Sequence, residues 1–411
     1  MPAVRPLPRQ IGPIHLAAAY RPRWLFIAPQ IPRPERASGD RRLFAMLAAL
    51  AVDCDVALLA IASREPDAAA AERALIDAGV RFVGYGANVG IAALVRETFD
   101  AVCFEFYHTA IGMSHFVRAL QPQALLVVDS VDLHFLRERE AARLGAGDLA
   151  AAARTETDEL AVYRQADVTI VVTGSECDVL RGLGFRSLEI VPNIVPLIPR
   201  AERSRESEVL FIGGFRHPPN GAAVHWFASE VWPSVRQRVP DARWMIVGSD
   251  APLDVKALDG RDGITVTGSV ESTAPWLDAA QVSIAPLTFG AGMKGKVSEA
   301  LSAGVPVVTT RWGAQGLERG AGIAYLLADT PSEFADAVVR LLRNSDLRDT
   351  ISHAATELAR QTCTIDAAAP ALAALVQRSR MAARGPASGR MARCVALGAL
   401  VVRRRLARLT G

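Results

Sequence analysis

Short β-branched runs alternate with alanine-rich helical patterns along this 411-residue chain, and the alternation occurs twice. Strand-like runs separated by helical patterns indicate βαβ units, which build parallel sheets with helices on both faces. In the first half the predicted strands are residues 24–29, 56–62, 81–86, 101–106, 124–129, 168–173 and 188–192. In the second half they are residues 209–214, 244–249, 264–270, 282–287, 305–310 and 324–329. The sequence therefore predicts an α/β fold with two separate parallel sheets.

The stretch between the two sets of strands is interpreted as an interdomain linker. Residues 196–207 carry prolines and charges without periodicity. The expected domains are two doubly wound, Rossmann-like units at 23–195 and 208–345 that face each other across a cleft. The other predicted segments are an N-terminal extension at 1–22, C-terminal helices at 346–377 and a basic tail at 378–411. Because ligands of open α/β sheets bind beyond the carboxyl ends of the strands, the cleft is the expected site.

Composition argues against several classes of protein. The net charge of +3 is too small to indicate a nucleic-acid partner. The five cysteines are scattered without a CxxC pair, which argues against a disulfide framework or a zinc site and for a reducing compartment. The first residues contain Pro and Arg throughout, unlike a secretory leader, and no run reaches the roughly 18 apolar residues that span a bilayer. We therefore expect a cytoplasmic protein.

The segment PLTFGAGMKGKVSEALSAGVPVVTT, residues 286–310, carries the strongest functional signal. It follows a predicted buried strand, and its glycines Gly290, Gly292 and Gly295 permit a tight turn into a helix expected to begin near Val297. A glycine-rich turn into a helix N-terminus presents backbone N–H groups and the positive end of the helix dipole to an anion. The segment therefore predicts an anion site.

Two of the three lysines in the chain, Lys294 and Lys296, lie in this turn, although the chain has 46 basic residues. Their charges add to the helix dipole, so we predict a diphosphate site; a solvated loop with two surface cations is the alternative. The spacing also matches GxxxxGK. However, a P-loop needs Ser or Thr directly after the lysine to hold Mg²⁺, and Val297 occupies that place.

Glu299 is expected on the first turn of the same helix, within reach of a bound ligand. A carboxylate beside a phosphate site is unfavourable unless it accepts hydrogen bonds from hydroxyls, and paired ribose hydroxyls would supply those donors. The alternative is an acidic side chain that only complements the helix dipole.

The segment resembles the donor site of retaining GT-B glycosyltransferases of family 4 (glycosyl transferases group 1), in the branch whose motif reads GAGxKGKxxEAL. Further segments agree with that branch: RPERASGDRRLF (33–44), DSVDLHFLRERE (129–140), PNI (192–194), LFIGGFRHPPNGAAVHWF (210–227) and TGSV (267–270). The resemblance runs in order from residue 24 to residue 345.

The resemblance implies a GT-B fold and a specific reaction. The enzyme would move a hexosyl group from a nucleoside-diphosphate sugar to an acceptor hydroxyl with retention of configuration, without a metal or another cofactor. The acceptor would be a glycan or a lipid-linked molecule in bacterial surface polysaccharide or glycoconjugate synthesis.

The chain departs from the family at one position. Many members carry a Glu eight positions before the equivalent of Glu299, and this chain has Ala291 there. That Glu is often assigned to the hydroxyls of the donor sugar, so the departure concerns the sugar and not the nucleotide. We expect Lys294 and Lys296 to take over part of the contact.

The resemblance implies roles for further residues of the second domain. Gly213 and Gly214 end the first strand of that domain and let the backbone approach a ligand. Arg216 is implied to contact the diphosphate and, with the two lysines, to stabilise charge on the leaving group. The backbone from Gly268 to Val270 is implied to contact the nucleobase.

The neighbouring residues have mainly structural interpretations. His217 follows Arg216 and lies equally close to the expected diphosphate, with a structural role as the alternative. Pro218, Pro219 and Asn220 are interpreted mainly as a stop and as the N-cap of the helix that follows.

The first domain offers residues at the ends of three strands. Ser38, Gly39 and Asp40 form a predicted turn into the helix after the first strand, where they would line the cleft. Arg41 and Arg42 follow, and at least one of them is expected to be only solvated.

The fourth and fifth strands end in polar residues. Asp129, Asp132 and His134 follow the fifth strand, although capping alone would explain Asp132. Glu105 and His108 follow the fourth strand, where the family often has a catalytic histidine, so His108 is the candidate. The other histidines show no cluster spacing, and no metal site is expected.

Two rival functions stay open. An epimerase of the same fold, acting on a nucleotide sugar, would share the diphosphate contacts without using an acceptor. A non-catalytic sugar-nucleotide-binding homologue would bind the donor without turnover.

The tail after Asp366 has no acidic residue and is rich in arginine, which predicts either contact with an anionic membrane surface or a disordered end.

Overall fold

The computed structural model describes residues 20–143, 145, 147–198, 208–290, 292–383, 393–397 and 399–400. Most of the expected N-terminal extension, the linker from residue 199, the tail residues 384–392 and 401–411, and Ala291 lie outside the described residues.

The first lobe is built on a seven-stranded sheet in the order β3-β2-β1-β4-β5-β6-β7, in which every pair is parallel. Its strands are β1 (Arg23–Ala28), β2 (Asp55–Ala60), β3 (Arg81–Tyr85), β4 (Ala101–Glu105), β5 (Leu125–Asp129), β6 (Val168–Val171) and β7 (Leu188–Ile190). Its helices are α1 (Ser38–Asp53), α2 (Ala69–Asp77), α3 (Ala87–Arg96), α4 (Tyr107–Leu120), α5 (His134–Arg143), α6 (Leu149–Gln165) and α7 (Gly174–Gly182).

The second lobe is built on a six-stranded parallel sheet in the order β10-β9-β8-β11-β12-β13. Its strands are β8 (Glu208–Ile212), β9 (Arg243–Val247), β10 (Ile264–Gly268), β11 (Val282–Ala285), β12 (Val307–Thr309) and β13 (Leu326–Leu327). Its helices are α8 (Pro218–Trp226), α9 (Trp232–Arg238), α10 (Leu253–Lys256), α11 (Ala274–Ala279), α12 (Gly295–Ser302), α13 (Pro331–Arg343) and α14 (Ser345–Thr362). A π-helical turn (Phe227–Val231) joins α8 to α9, and a 3₁₀ turn (Glu318–Gly320) precedes β13.

Strand β1 shows why the strands of these sheets have continuous apolar sequences. Trp24 and Phe26 pack on one face of the sheet, in the core shared with α1 and α15 (Ile365–Ala382). Leu25 and Ile27 pack on the opposite face, in the core shared with α3 and α4. Because successive side chains point to opposite faces, a strand covered by helices on both sides must be apolar at every position.

The last described helix of the second half of the chain returns to the first lobe. In α15, Leu372 and Leu375 join the core around β1, and Ser379 Oγ accepts a hydrogen bond of 3.1 Å from Trp24 Nε1. Arg378 pairs with Glu189 at 2.9 Å. Beyond it, Arg393 Nε donates to the carbonyl oxygen of Val95 at 3.0 Å, so the described residues of the expected basic tail lie against the first lobe.

Each sheet reverses its strand order at one point, and these two points position the site. The reversal falls between β1 and β4 in the first sheet and between β8 and β11 in the second. The prediction of two doubly wound α/β units is confirmed, and helix α12 begins at Gly295, two residues before the expected Val297. Within the part of the chain that the structure describes, no helix has both the length and the apolar character needed to cross a bilayer.

Candidate functional site

The turns at the two points of strand reversal meet in the cleft between the lobes. Residues 29–37 after β1 lead into α1, and residues 286–294 after β11 lead into α12. Asn193 Nδ2 donates to the carbonyl oxygen of Met293 at 2.9 Å, which ties the end of the first lobe to the second turn. The cleft is therefore lined by the loops that a doubly wound sheet uses for ligands.

The N-termini of α1 and α12 approach each other so closely that Gly295 has no room for a side chain. A Cβ on Gly295 would lie 2.3 Å from the Cβ of Ser38 and 2.5 Å from its Oγ. Gly39 and Asp40 continue the first turn of α1, and Asp40 Oδ2 accepts a hydrogen bond of 3.0 Å from Arg33 N. Two helix N-termini that face each other place two positive dipole ends in one cleft, an arrangement that an anion would stabilise.

Lys294 lies at the start of α12 with only 8% of its surface exposed. Its Nζ donates to the carbonyl oxygen of Gly292 at 2.5 Å and to Gln315 Oε1 at 3.0 Å. Burial lowers the pKa of Lys294 to about 8, partly offset by the carboxylates of Asp132 and Glu176. The backbone turns through Gly290 (φ 136°) and Gly292 (φ 72°) to reach this position.

Lys296 lies two residues further along the chain, in the first turn of α12. Its Nζ donates to Asn220 Oδ1 at 2.5 Å and lies 4.2 Å from the centroid of the Phe211 ring. Burial lowers the pKa of Lys296 to about 7, and the charge of Lys294 lowers it further, while Glu299 opposes the shift. The two lysines therefore form a pair of desolvated ammonium groups at a helix N-terminus.

Two more basic side chains adjoin this pair. Arg137 of α5 comes from the first lobe, is paired with Asp132 and lowers the pKa of both Lys294 and His217. Desolvation in the cleft, and then Lys296 and Arg137, lower the pKa of His217 to about 4, although solvent reaches its ring. His217 is therefore neutral at pH 7.

Glu299 faces an arginine of the other lobe. Its carboxylate pairs with Arg41 at the start of α1, and Thr273 Oγ1 lies 3.4 Å from its second oxygen. Glu299 is within reach of the cleft, as expected, and its present partner is a guanidinium group of the first lobe.

The remaining residues predicted to bind the donor lie at or just after the ends of β8 and β10. Gly213 and Gly214 follow β8 directly, Gly268 (φ 74°) ends β10, and Val270 packs partly buried on the core of the second lobe. The side chain of Arg216 is 86% exposed and pairs with Asp250 at 3.0 Å. The structure thus places Arg216 at the surface, outside the buried lysine pair.

In the first lobe, the turns after β4 and β5 carry a cluster of aromatic rings. The ring centroids of His108 and His134 lie 6.1 Å apart, and Phe106 stacks on His108 at 5.2 Å. Burial lowers the pKa of both histidines, and Asp132 partly opposes the shift at His134. Phe106 (φ 65°) and Val131 (φ 60°) adopt left-handed backbone conformations, which are strained for such residues and common at functional sites.

The expectation that Arg41 or Arg42 is only solvated is wrong. Arg42 is buried, pairs with Asp129 at 2.6 Å and donates to the carbonyl oxygens of Val191 and Pro192. Such a buried guanidinium needs several acceptors, which the end of β5 and the segment after β7 supply.

The carboxyl of Glu105 lies buried beside the Arg42–Asp129 pair. Burial, and then the charge of Asp129, raise the pKa of Glu105 well above its ordinary range.

Three residues of the cleft were missed or misassigned from sequence. Asn220 is not the N-cap of α8, which is His217; its side chain binds Lys296 instead. Arg137 lies inside the segment DSVDLHFLRERE, but in an arginine-rich chain nothing distinguishes it. Arg41 was missed because its partner belongs to the other lobe. Among the described residues no group of three or more His, Cys, Asp or Glu side chains is arranged to hold a metal ion.

The lobe that carries the two lysines resembles a known protein family. A family model described as "Glycosyl transferases group 1" matches residues 206–344. Over these residues the second lobe is similar to the glycosyl transferases of group 1. A phosphatidyl-myo-inositol mannosyltransferase of Mycobacterium leprae (strain TN) is 28% identical over 190 residues, which are 45% of this chain and 49% of that protein. The match thus spans about half the length of this mannosyltransferase.

Solved structures show the same architecture across both lobes. Sucrose-phosphate synthase from Thermosynechococcus elongatus matches with a TM-score of 0.68 and 14% identity, over 88% of this chain and all (100%) of that chain. Anabaena HepE in complex with UDP-glucose matches with a TM-score of 0.64 and 14% identity, over 86% of this chain and 99% of that chain. The fold of this chain is therefore GT-B.

Proposed function

We propose that this chain is a glycosyltransferase that moves a sugar from a nucleoside-diphosphate sugar to an acceptor hydroxyl with retention of configuration. The observation that carries the proposal is the pair of desolvated ammonium groups, Lys294 and Lys296, at the N-terminus of α12. A site of this kind suits a ligand with two adjacent phosphates.

The reaction needs stabilisation of the leaving diphosphate rather than a protein nucleophile. As the bond between the anomeric carbon and the diphosphate oxygen breaks, negative charge grows on that oxygen. Lys294, Lys296 and the two facing helix N-termini supply positive charge that is already in place, and one such preorganised donor is typically worth on the order of 10²–10³ in rate. Arg216 is exposed and could join this set only from the surface.

The remaining parts of the cleft suit the sugar, the base and the acceptor. We assign the ribose hydroxyls to Glu299, the nucleobase to the backbone from Gly268 to Val270, and the acceptor to the side of the first lobe that carries His108 and His134. A hexosyl donor is supported by the HepE structure, which was solved in complex with UDP-glucose, and by the mannosyltransferase of Mycobacterium leprae.

The proposal extends to the pathway and the compartment. We place the reaction in bacterial surface polysaccharide or glycoconjugate synthesis, on the cytoplasmic side, in a reducing compartment. Five unpaired cysteines, four of them buried, fit that compartment. Contact of the basic tail with a membrane surface stays a prediction, which flotation with anionic liposomes tests by comparing the full chain with one lacking residues 380–411.

Product analysis tests the proposed reaction. The purified protein is incubated with UDP-, GDP-, TDP- or ADP-hexoses, with and without a cell-envelope glycolipid extract and with EDTA present throughout. We expect acceptor-dependent release of one nucleoside diphosphate, lost in Lys296→Met and kept in Lys256→Met, whose lysine is exposed on α10. A new nucleotide sugar without acceptor would indicate the epimerase, and donor binding without any product would indicate the non-catalytic homologue.

A further inference from the structure

The ammonium of Lys296 is held by a neutral side chain. Within the described part of the chain, its hydrogen-bond acceptor is Asn220 Oδ1 at 2.5 Å, and the face of Phe211 lies beneath it at 4.2 Å. Neither partner carries a charge. A buried cation is ordinarily paired with a carboxylate, as Arg42 is with Asp129 in the same molecule.

Asn220 is itself fixed at both ends of its amide. Nδ2 donates to the carbonyl oxygen of Gly214 at 2.6 Å, while Oδ1 accepts from Lys296, and the residue is only 5% exposed. An amide can donate and accept at once, whereas an aspartate has no hydrogen to give Gly214 and a leucine can do neither.

The turn after β8 is packed around this amide. A Cβ on Gly213 would lie 2.8 Å from Asn220 Nδ2 and 2.8 Å from Lys296 Nζ. The Gly213–Gly214 backbone, the amide and the ammonium therefore form one close-packed unit, in which moving the amide moves the charge.

We propose that Asn220 is the positioning residue of this site: its amide holds the ammonium of Lys296 against the Gly213–Gly214 turn and leaves the positive charge for a bound diphosphate. The inference rests on the proposed function for the identity of the anion, but the arrangement of amide and ammonium is measurable without any nucleotide.

Two variants move the ammonium in opposite directions. Asn220→Asp places a carboxylate beside Lys296, which raises the pKa of the lysine by at least about one unit and cancels its charge toward a diphosphate. Asn220→Leu keeps the branching of the side chain but removes the acceptor, which lowers the pKa of the same lysine further. A residue with only a structural role would not shift this pKa upward in one variant and downward in the other.

The chain has only three lysines, so the ammonium can be followed directly. Protein labelled with ¹³C at lysine Cε gives three signals, assigned with Lys256→Met and Lys296→Met and titrated by NMR without nucleotide. In the natural protein we expect Lys296 to titrate at about 7. We expect the titration to move up in Asn220→Asp, down in Asn220→Leu, and not at all in Asn344→Asp, a matched change at the N-cap of α14.

Nucleotide binding supplies the second readout. For the nucleoside diphosphate that binds the natural protein, we expect at least tenfold weaker binding by both Asn220 variants at pH 7, with partial recovery at pH 6 in Asn220→Leu only.

Unchanged lysine titration in both folded variants overturns the proposal. No nucleotide binding by the natural protein, with the titrations shifted as expected, overturns the proposed function and leaves the role of Asn220 standing. If Asn220→Asp does not fold, an unchanged titration in Asn220→Leu overturns the proposal by itself.

Discussion

Two desolvated cations of this protein are held in opposite ways. Arg42 is neutralised by Asp129 and satisfied by two backbone carbonyls, which makes the group structural. Lys296 is held by an amide and an aromatic face, so its charge is not cancelled. Placing an uncompensated cation in a cleft costs folding free energy, and a bound anion would recover it.

Protonation of Lys296 should therefore be linked to nucleotide binding. A diphosphate favours the charged lysine, whose pKa is about 7 without ligand, so binding at pH 8 takes up protons. We expect the Kd of the nucleoside diphosphate to rise by up to tenfold per pH unit above pH 7.5. Isothermal titration calorimetry in buffers of different ionisation enthalpy measures the uptake.

The same shift sets the sign of the ligand-free stability. The pKa of Lys296 is lowered in the folded state from 10.5 to about 7, so the unfolded chain binds the proton more tightly. The desolvated Lys296 therefore lowers the free energy of unfolding most below pH 7, and this effect fades as the pH rises toward 10.5.

Two variants check the proton uptake on nucleotide binding. Lys256→Met should leave the uptake unchanged and Lys296→Met should reduce it; equal uptake in the two variants would contradict the assignment.

Removal of Arg42 should be one of the most damaging single changes in the first lobe. Arg42→Met leaves the carboxylate of Asp129 buried without a cation and with the Val131 N–H as a remaining donor, which costs about 3–5 kcal/mol of unfolding free energy. Arg64→Met, which breaks an exposed pair with Glu72, should cost about 1 kcal/mol or less. Urea unfolding compares the two. The double variant Arg42→Met/Asp129→Leu should recover most of the loss, and no recovery would show that the cost is not electrostatic.

At the scale of elements, the strands and helices are readable from sequence because each is a local pattern. Helix α14 begins one residue before the predicted start of the C-terminal helices at residue 346, and α12 begins two residues before Val297. Contacts between residues far apart in the chain are not local, so the pairs Arg41 with Glu299 and Asn220 with Lys296 could not be predicted from spacing. The lysine turn was readable because lysine is rare in this chain.

The close approach of α1 and α12 gives a test at this scale. Gly295→Ala adds a Cβ that would lie 2.3 Å from the Cβ of Ser38, so the two helix N-termini must separate. We expect Gly295→Ala to bind the nucleoside diphosphate at least tenfold more weakly, as measured by calorimetry. The double variant Gly295→Ala/Ser38→Gly should bind like the natural protein, whereas Gly112→Ala, on an open face of α4, should change nothing. A single variant that binds normally would show that this approach does not matter for the ligand.

At the scale of the whole molecule, the lobes are joined by the returning helix α15 and by contacts across the cleft. Arg41 with Glu299 is the ion pair among those contacts in the described part of the chain. It occupies the carboxylate that we assign to ribose hydroxyls, so a nucleotide must replace a contact that holds the lobes together.

Arg41→Gln should therefore open the ligand-free protein. A pair of this kind is worth about 1 kcal/mol, which changes the ratio of open to closed molecules by roughly fivefold. Small-angle scattering should show a larger radius of gyration than for the natural protein or for Arg64→Gln. Superimposable scattering curves would mean that α15 and the backbone contacts alone set the arrangement of the lobes.

The central claim is that the cleft binds a nucleoside diphosphate through the lysine turn, and a thermal-shift screen tests it most directly. UDP, GDP, TDP and ADP are each added to the natural protein, Lys296→Met and Lys256→Met. At 100 times its Kd a ligand stabilises by about 2.7 kcal/mol, so we expect a clear rise in Tm with one diphosphate, kept in Lys256→Met and lost in Lys296→Met. No shift with any diphosphate, or an equal shift in all three proteins, would contradict the claim.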